Sequence, residues 1–109
     1  MEESKREVKH IVLAKFKEGL SKEEIEECIK QFANLVDLVP SMKAFKWGKE
    51  LSIINFHQGF THVFESIFET TKGVEDYLSD QNHVDYGNFL MPQLDKFLII
   101  DFEPTKVQP

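Results

Sequence analysis

The sequence predicts a single α+β domain in which strands and helices alternate, and three observations support this prediction. The chain has 109 residues, about the length of one domain. Hydrophobic residues make up 41% and charged residues 29%, as in ordinary globular proteins. Segments with a two-residue apolar period flank segments whose apolar residues recur at steps of three and four, the periods of strands and helices.

The first half of the chain predicts a strand and then a long helix. The strand extends from Val8 to Phe16, where two rows of side chains alternate. Ser21 is predicted to cap the helix that follows, because Glu24 stands three residues later and completes a capping box. The apolar stripe of this helix continues to Val39, and Pro40 ends it.

The middle of the chain predicts two strands joined by a connection. The second strand is expected from Met42 to Trp47 and closes at Gly48, and the third from Phe60 to Phe68. The residues between them, 49–59, are interpreted as a polar connection.

The last third predicts an interrupted helix and a fourth strand. Thr70 or Thr71 caps the helix, and the polar stretch Ser79 to Asn82 interrupts it before it resumes from His83 to Met91. The fourth strand is expected from Phe97 to Phe102. The order β-α-β-β-α-β is that of a ferredoxin-like protomer, a four-stranded antiparallel sheet with both helices on one face. The domain spans residues 8–104, with flexible tails at 1–7 and 105–109.

Composition and charge exclude several classes of function. The net charge of −6, with 13 basic residues scattered along the chain, argues against nucleic-acid binding. Since no stretch approaches 18 consecutive apolar residues, we expect no membrane span. The single cysteine, Cys28, cannot form an internal disulfide, which indicates a reducing compartment, the cytoplasm.

The sheet face opposite the helices is also apolar, so we expect a partner to cover it. A second copy of the chain, packed sheet against sheet in a two-fold dimer, is the simplest partner. The alternative is that these residues lie at frayed strand ends. The predicted interface residues are Ile11, Leu13, Val63, Ile67, Leu98 and Ile100.

Histidines occupy the inward rows of two strands. His10 and His62 stand where aliphatic residues are expected, and the first and third strands of this fold are neighbours, so the two rings are predicted to lie side by side. Tyr77 lies on the apolar stripe of the second helix, and His83 begins its continuation. A buried neutral imidazole can act as a base near neutral pH, and a phenol can donate a hydrogen bond to an oxyanion.

Two other interpretations of these histidines remain open. One is that they are structural residues that only complete the core. The other is a metal site formed with His83, although no ligand-spacing motif supports it. Size separates a binding site from a filled core, because a chamber for a drug-sized ligand has at least about 300 Å³.

Several short motifs together resemble the plant stress-responsive dimeric α/β barrel (Dabb) family, from about Val8 to Pro104. They are Val8-Lys9-His10, Asn34-Leu35-Val36, Pro40-Ser41-Met42-Lys43, Trp47-Gly48-Lys49, Gly59-Phe60-Thr61-His62, Phe64-Glu65-Ser66 and Asp101-Phe102-Glu103-Pro104. The resemblance implies a sheet-to-sheet homodimer of ferredoxin-like protomers. It also implies one of two functions: a boiling-stable stress protein without catalytic activity, or a cyclase that closes a linear polyketide–coenzyme A ester without a cofactor.

The resemblance to the cyclase branch implies a set of site residues. His83 and Tyr77 are the catalytic base and acid, and His10 and His62 bind the substrate. Apolar residues are expected to line the cavity for the substrate tail, namely Phe32, Val12, Ile29, Phe64 and Phe68. Two departures from the cyclase pattern bear on the substrate: the segment Asp80-Gln81-Asn82 before the catalytic histidine, and Phe32 in place of a pocket tyrosine.

Overall fold

The computed structural model describes residues 6–109, so the first five residues of the predicted N-terminal tail lie outside it. Four strands form: β1 (Val8–Phe16), β2 (Met42–Lys49), β3 (His62–Phe68) and β4 (Leu94–Phe102). The helices are α1 (Lys22–Leu38), α2 (Thr71–Ser79) and α3 (Gln81–Leu90), and one 3₁₀ turn, Met91–Gln93, leads into β4. Residues 103–109 form neither helix nor strand.

The strands form one antiparallel sheet in the order β2-β3-β1-β4. The predicted neighbours β1 and β3 therefore pair at the centre, with His10 opposite Ser66 and Ala14 opposite His62. Every second residue of β1 is buried beneath the helices, which confirms the ferredoxin-like protomer with its helices on one face. On the other side of β1, His10 pairs with Asp101 of β4.

The helix boundaries follow the local capping chemistry. Ser21 accepts a hydrogen bond from the backbone of Glu24, whose side chain accepts one from the Ser21 backbone, so the predicted capping box is present. Thr70, not Thr71, caps α2 by accepting from the Gly73 backbone. Asp80 is the whole interruption between α2 and α3, shorter than the four polar residues predicted.

Three strand boundaries differ from the prediction. β3 begins at His62 because Gly59, with a φ of +84°, turns the chain just before Phe60 and Thr61. β4 begins three residues early, at Leu94, where a register shift between Lys15 and Phe16 lets the pairing continue. β2 continues through Gly48 to Lys49.

The core lies between the sheet and the helices, and it leaves β4 uncovered. Aromatic and aliphatic side chains of β1, β3 and all three helices fill it. In β4 only Leu94 is buried, and apolar residues are exposed on both faces of the strand. Phe97 and Ile99 stand on the helix side, and Leu98 and Ile100 on the outer side.

The connection between β2 and β3 is not polar as predicted. It carries four large apolar side chains that are each 63–79% exposed, namely Leu51, Ile53, Ile54 and Phe56. The prediction gave weight to Asn55, His57 and Gly59 and overlooked the four apolar residues. The turn itself lies from His57 to Phe60, after them.

Candidate active site

A small hollow lies between the sheet and the C-terminal helices. Its volume is about 60 Å³, room for a few water molecules. Its walls come from β1, α1, α2, α3, the 3₁₀ turn and β4. The lining residues are His10, Val12, Phe32, Tyr77, His83, Tyr86, Gly87, Leu90, Met91, Leu94, Phe97 and Ile99.

One residue sets the geometry between the helices that carry Tyr77 and His83. Asp80 closes α2, where its backbone N–H donates to the Tyr77 carbonyl (3.2 Å). Its carboxylate then opens α3 by accepting from the Asn82 backbone at 2.8 Å. Because Asp80 has an extended conformation, the chain turns there and His83 comes back over Tyr77.

Tyr77 and His83 are in direct contact. Their ring centroids are 4.1 Å apart, and the His10 ring lies 5.7 Å from Tyr77 in an edge-on arrangement. Burial, together with the nearby charge of Asp101, raises the pKa of Tyr77 far above its usual value. The phenol therefore keeps its proton at neutral pH and can donate a hydrogen bond.

His83 is in the opposite condition, because burial lowers the pKa of its imidazole. The backbone of Leu78 acts against this shift, whereas a charge on His10 lowers the pKa further. Its Nδ1 atom is buried without a partner in hydrogen-bond geometry among the described residues. A neutral imidazole beside a protonated phenol is a base next to an acid.

His10 is held by an acidic partner. Its Nδ1 donates to Oδ1 of Asp101 at 2.5 Å, and the imidazole is buried while the carboxylate is partly open to solvent. Because a carboxylate only accepts, this bond fixes the proton on Nδ1 and leaves Nε2 as the free position of a neutral ring. The sequence analysis did not pair these residues, although antiparallel pairing of the first and last strands would have placed them side by side.

His62 lies elsewhere, and the predicted adjacency of His10 and His62 is wrong. It pairs with Ala14, four residues along the sheet from the His10 position, a separation of about 13 Å. Its Nδ1 contacts the Thr61 hydroxyl at 2.8 Å, and its ring packs edge-on to Phe16 (5.0 Å between centroids) and stacks on Trp47 (6.0 Å). The prediction rested on the position of both histidines in one inward-facing row of two neighbouring strands. The register of β1 and β3 nevertheless separates the two rings.

Some of the apolar residues predicted to bind the substrate line the hollow, and the others lie away from it. Val12 and Phe32 line the hollow. Phe64 packs behind Phe32 at 5.2 Å, and Phe68 packs behind Tyr77 at 4.9 Å. Ile29 faces a surface groove beside Phe45 and Trp47.

Seven of the twelve wall residues were missed by the sequence analysis, and three of these shape the site. Tyr86 fixes α3 to α1 through its hydroxyl, which donates to the Cys28 carbonyl at 2.7 Å. Phe97 and Ile99 form the open side of the hollow. The helical spacing of Tyr86 after His83 and the two-residue spacing of β4 were the available signals.

The hollow is smaller than the chamber of about 300 Å³ that a drug-sized ligand needs. It is nonetheless the only place in the described chain where the three polar rings of His10, Tyr77 and His83 meet one cavity wall. Residues 6–109 contain no cluster of three side chains suited to hold a metal ion. No helix of the described residues is long and apolar enough to cross a bilayer.

The molecule is a ferredoxin-like protomer in which a phenol and an imidazole are in contact at a hollow between sheet and helices. Comparison with known families gives the particular assignment. The chain belongs to the Stress responsive A/B Barrel Domain family (Dabb), whose model matches residues 8–104.

Individual relatives include proteins named for stress and proteins named for catalysis. The chain is 53% identical to the stress-response A/B barrel domain-containing protein HS1 of Arabidopsis thaliana, over 98% of each chain. It is 36% identical to olivetolic acid cyclase of Cannabis sativa, over 91% of this chain and 98% of the cyclase. The structure of hydroxynitrile lyase from Passiflora edulis superposes with a TM-score of 0.90 at 26% identity, over 95% and 98% of the two chains.

More distant structures share the fold alone. One from Thermobifida fusca, described as a dimeric ferredoxin-like protein, superposes with a TM-score of 0.77 at 16% identity, over 92% of each chain. The ferredoxin-like architecture predicted from the sequence is therefore confirmed, and proteins of this fold include dimers.

Proposed function

We propose that this stress-response barrel protein is a cofactor-free acid/base catalyst that cyclises a linear polyketide–coenzyme A ester by an intramolecular aldol condensation. The observation that carries the proposal is the contact of Tyr77 with His83 at the wall of a hollow. The 36% identity to a protein named olivetolic acid cyclase supports the substrate class.

The two rings divide the proton transfers of the aldol step. Neutral His83 removes a proton from an activated methylene of the substrate, and the resulting carbanion attacks a ketone carbon of the same chain. Tyr77 donates a hydrogen bond to the carbonyl oxygen as it becomes an alkoxide and then transfers its proton to it, and the His83 imidazolium returns the removed proton to the phenolate. The aldol adduct then loses water to complete the condensation, and hydrolysis of the thioester by water releases coenzyme A. The raised pKa of Tyr77 and the lowered pKa of His83 both favour these starting states.

His10 and Asp101 act as a positioning pair in this scheme. The bond to Asp101 orients the imidazole so that its edge faces Tyr77. A neutral His10 presents Nε2 as an acceptor, which can hold the phenol or a substrate hydroxyl in register. Asp101 also contacts solvent, so it links the interior to bulk water.

Substrate binding requires the hollow to open, since its present volume of about 60 Å³ is below that of a polyketide. The open side is formed by Phe97 and Ile99, which are almost half exposed and have no helix packed over them. Moving these side chains outward costs little packing, whereas the aromatic wall formed by Phe32 and Phe64 is fully buried. The tail of the substrate therefore enters along β4.

The second candidate function is a non-catalytic stress protein that acts through a stable oligomer. The small hollow and the 53% identity to the stress-response protein HS1 favour it. In that case the buried histidines only complete the core, and a change at His83 alters thermal stability without chemical consequence.

The protein is also proposed to form a homodimer through its outer sheet face. Ile100, Leu98 and Val63 are 37–48% exposed there, while Ile11, Leu13 and Ile67 are half-buried. An apolar face of this extent favours a second copy. We place the dimer in the cytoplasm, because a single free cysteine fits a reducing compartment.

The test is turnover of a linear polyketide–coenzyme A ester generated in situ by a type III synthase, with product identified by mass spectrometry. Wild-type protein is expected to give the cyclised product, as its coenzyme A ester or, after hydrolysis by water, as the free acid, and Tyr77→Phe to lower its rate about 10²-fold or more, as for the loss of an acid. Tyr86→Phe is the matched control, because it removes a hydroxyl from the same cavity wall that bonds only to backbone. Equal turnover by wild type, Tyr77→Phe and a protein-free blank would favour the non-catalytic function.

A further inference from the structure

The connection between β2 and β3 carries an exposed apolar cluster that this protomer does not use. Leu51, Ile53, Ile54 and Phe56 expose 63–79% of their surface, more than any apolar residue of the sheet. Residues 51–61 contain no acidic residue, lysine or arginine. Exposed apolar clusters of this kind mark interaction sites, and this one can be buried without desolvating a charge.

The end of the loop, residues 58–60, contacts Lys96 on the outer side of the sheet. Lys96 stands opposite Lys15 in the same outward row as Leu98. Its ammonium donates to the Gln58 carbonyl and lies 4.4 Å from the centroid of the Phe60 ring. Because Lys96 projects from the outer face, the limb of the loop that it holds is also on that side, and a molecule that covers the outer face meets the loop.

The outer face alone is small for a stable interface. Four strands about 4.8 Å apart and about seven paired residues long give a footprint of ~450 Å². A standard interface buries about 800 Å² on each partner. The four large apolar side chains of the loop supply much of the difference, because a phenylalanine alone can bury about 150 Å².

β4 is the complementary surface. It carries an uncharged apolar run, Phe97, Leu98, Ile99 and Ile100, and each of these residues is 44–48% exposed. They are exposed because, in the part of the chain that the structure describes, no helix packs over β4 and no strand of this protomer pairs with its outer edge. β4 is also an edge strand, and edges of this length need a cover. The net charge of −6 and the absence of basic residues from the loop disfavour an anionic membrane as the cover.

We propose that residues 51–56 form a dimer arm that packs on β4 of a second copy of this chain, so that each protomer clasps the other. The proposal deepens the sheet-face homodimer proposed above and does not rest on the catalytic function. It also places the partner's arm beside Phe97 and Ile99 at the open side of the hollow, where it borders the entrance proposed for the substrate tail.

The first test measures the dimer dissociation constant by sedimentation equilibrium. The arm variant Ile54→Ser with Phe56→Ser is expected to raise it at least 100-fold. The control is Leu38→Ser with Leu78→Ser, which removes two apolar residues that are about half exposed, 46% and 52%, from the helix layer and should leave the constant unchanged. All four positions are exposed, so circular dichroism is expected to show folded protein in every case.

The outcomes separate the arm from the dimer itself. If the wild type is a dimer and the arm variant has the same dissociation constant, the role of the arm is refuted and the sheet-face dimer is retained. A wild type that stays monomeric at every concentration overturns both, and co-sedimentation of that monomer with phosphatidylcholine vesicles would assign the cluster to a membrane instead.

The second test locates the arm. Phe56 is replaced by the photoreactive p-benzoylphenylalanine in ¹⁴N protein, which is mixed with unmodified ¹⁵N protein and irradiated. The expected adduct joins the ¹⁴N arm to the ¹⁵N peptide that contains residues 94–102. An adduct confined to ¹⁴N peptides, or to another part of the ¹⁵N chain, overturns the assignment of β4 as the receiving surface.

Discussion

Two buried histidines in the same inward-facing sheet layer have different surroundings. His10 lies beside Tyr77 and the hollow, with Asp101 as its partner. His62 is equally buried but packs among Phe16, Trp47 and Phe64, where its ring contacts the Thr61 hydroxyl and lies near the charge of Lys49. The sheet supplies both rings, so the difference arises from what lies above them: the turn at Asp80 brings α3 over His10, whereas aromatic packing fills the space around His62.

The comparison teaches that burial of a titratable group does not by itself indicate a site. Burial lowers the pKa of His62 and of His83 alike. Only His83 adjoins a cavity and a second proton donor. One end of the sheet adjoins the hollow and the other end is solidly packed, so substitutions at the two ends should have different effects.

The largest expected effect is on turnover. His83→Ala should lower the rate of cyclisation by roughly 10²–10⁴-fold, the usual cost of a lost general base. His62→Ala should change it less than about threefold, because His62 does not line the hollow. Steady-state kinetics on the two variants measures the contrast, and an equal loss in both would make His62 a substrate contact, as the sequence first suggested.

A large effect on stability is expected at the packed end. Phe64→Ala should cost about 3–5 kcal/mol of unfolding free energy, because Phe64 is fully buried among Phe32, Phe45 and His62. Phe97→Ala, at the open side of the hollow, should cost less than about 1 kcal/mol in the monomer. Urea denaturation of both variants in dilute solution measures the difference. Comparable losses would mean that the open side is packed as firmly as the core.

An intermediate effect is expected for the partner of His10. Asp101→Asn should lower kcat roughly 10- to 100-fold with little change in KM, since a hydrogen bond to a charged group contributes about 1.5–3 kcal/mol. Asp95→Asn, on the same strand but paired with Lys15 at the surface, is the control. ¹⁵N NMR of His10 gives a readout that a purely structural role would not move: the proton on Nδ1 is expected in wild type, and a tautomer mixture in Asp101→Asn.

The smallest effect is the dependence of stability on pH. The unfolded histidines bind protons near their usual pKa of 6.5, whereas burial lowers the pKa of His62 in the folded protein. The unfolded state therefore binds more protons below pH 6.5, and stability falls as the pH falls from there towards the lowered pKa. His62→Phe keeps the ring packing and should flatten this acid limb in thermal melts at pH 5–7. An unchanged slope would show that burial does not lower the pKa of His62 in the folded protein.

The sequence predicted the fold well because each element has a local signal. The alternating rows of β1, the Ser21–Glu24 box and the stop at Pro40 all act within a few residues, and the structure follows them. Boundaries that depend on tertiary pairing were less accurate. β4 starts at Leu94 because β1 offers it a partner there, which no local pattern in β4 reveals.

The candidate site was predicted in part for the same reason. Val12, Phe32 and the three rings of His10, Tyr77 and His83 do line one cavity. His62 is excluded from the cavity by the strand register. The register fixes how far along the sheet a residue lies, whereas membership of an inward-facing row does not. The bond between His10 and Asp101 joins residues 91 positions apart, so only the pairing of the first and last strands could predict it.

The joint at Asp80 has a consequence for how this site can diversify. A single extended residue, held at both ends by its own backbone and carboxylate, decides how the helix of the phenol meets the helix of the imidazole. One inserted extended residue would lengthen the joint by about 3.4 Å and change the direction in which α3 leaves it, which would carry His83 away from Tyr77. A change in the length of this joint can therefore create, alter or remove the contact between the phenol and the imidazole without a change in the rest of the fold.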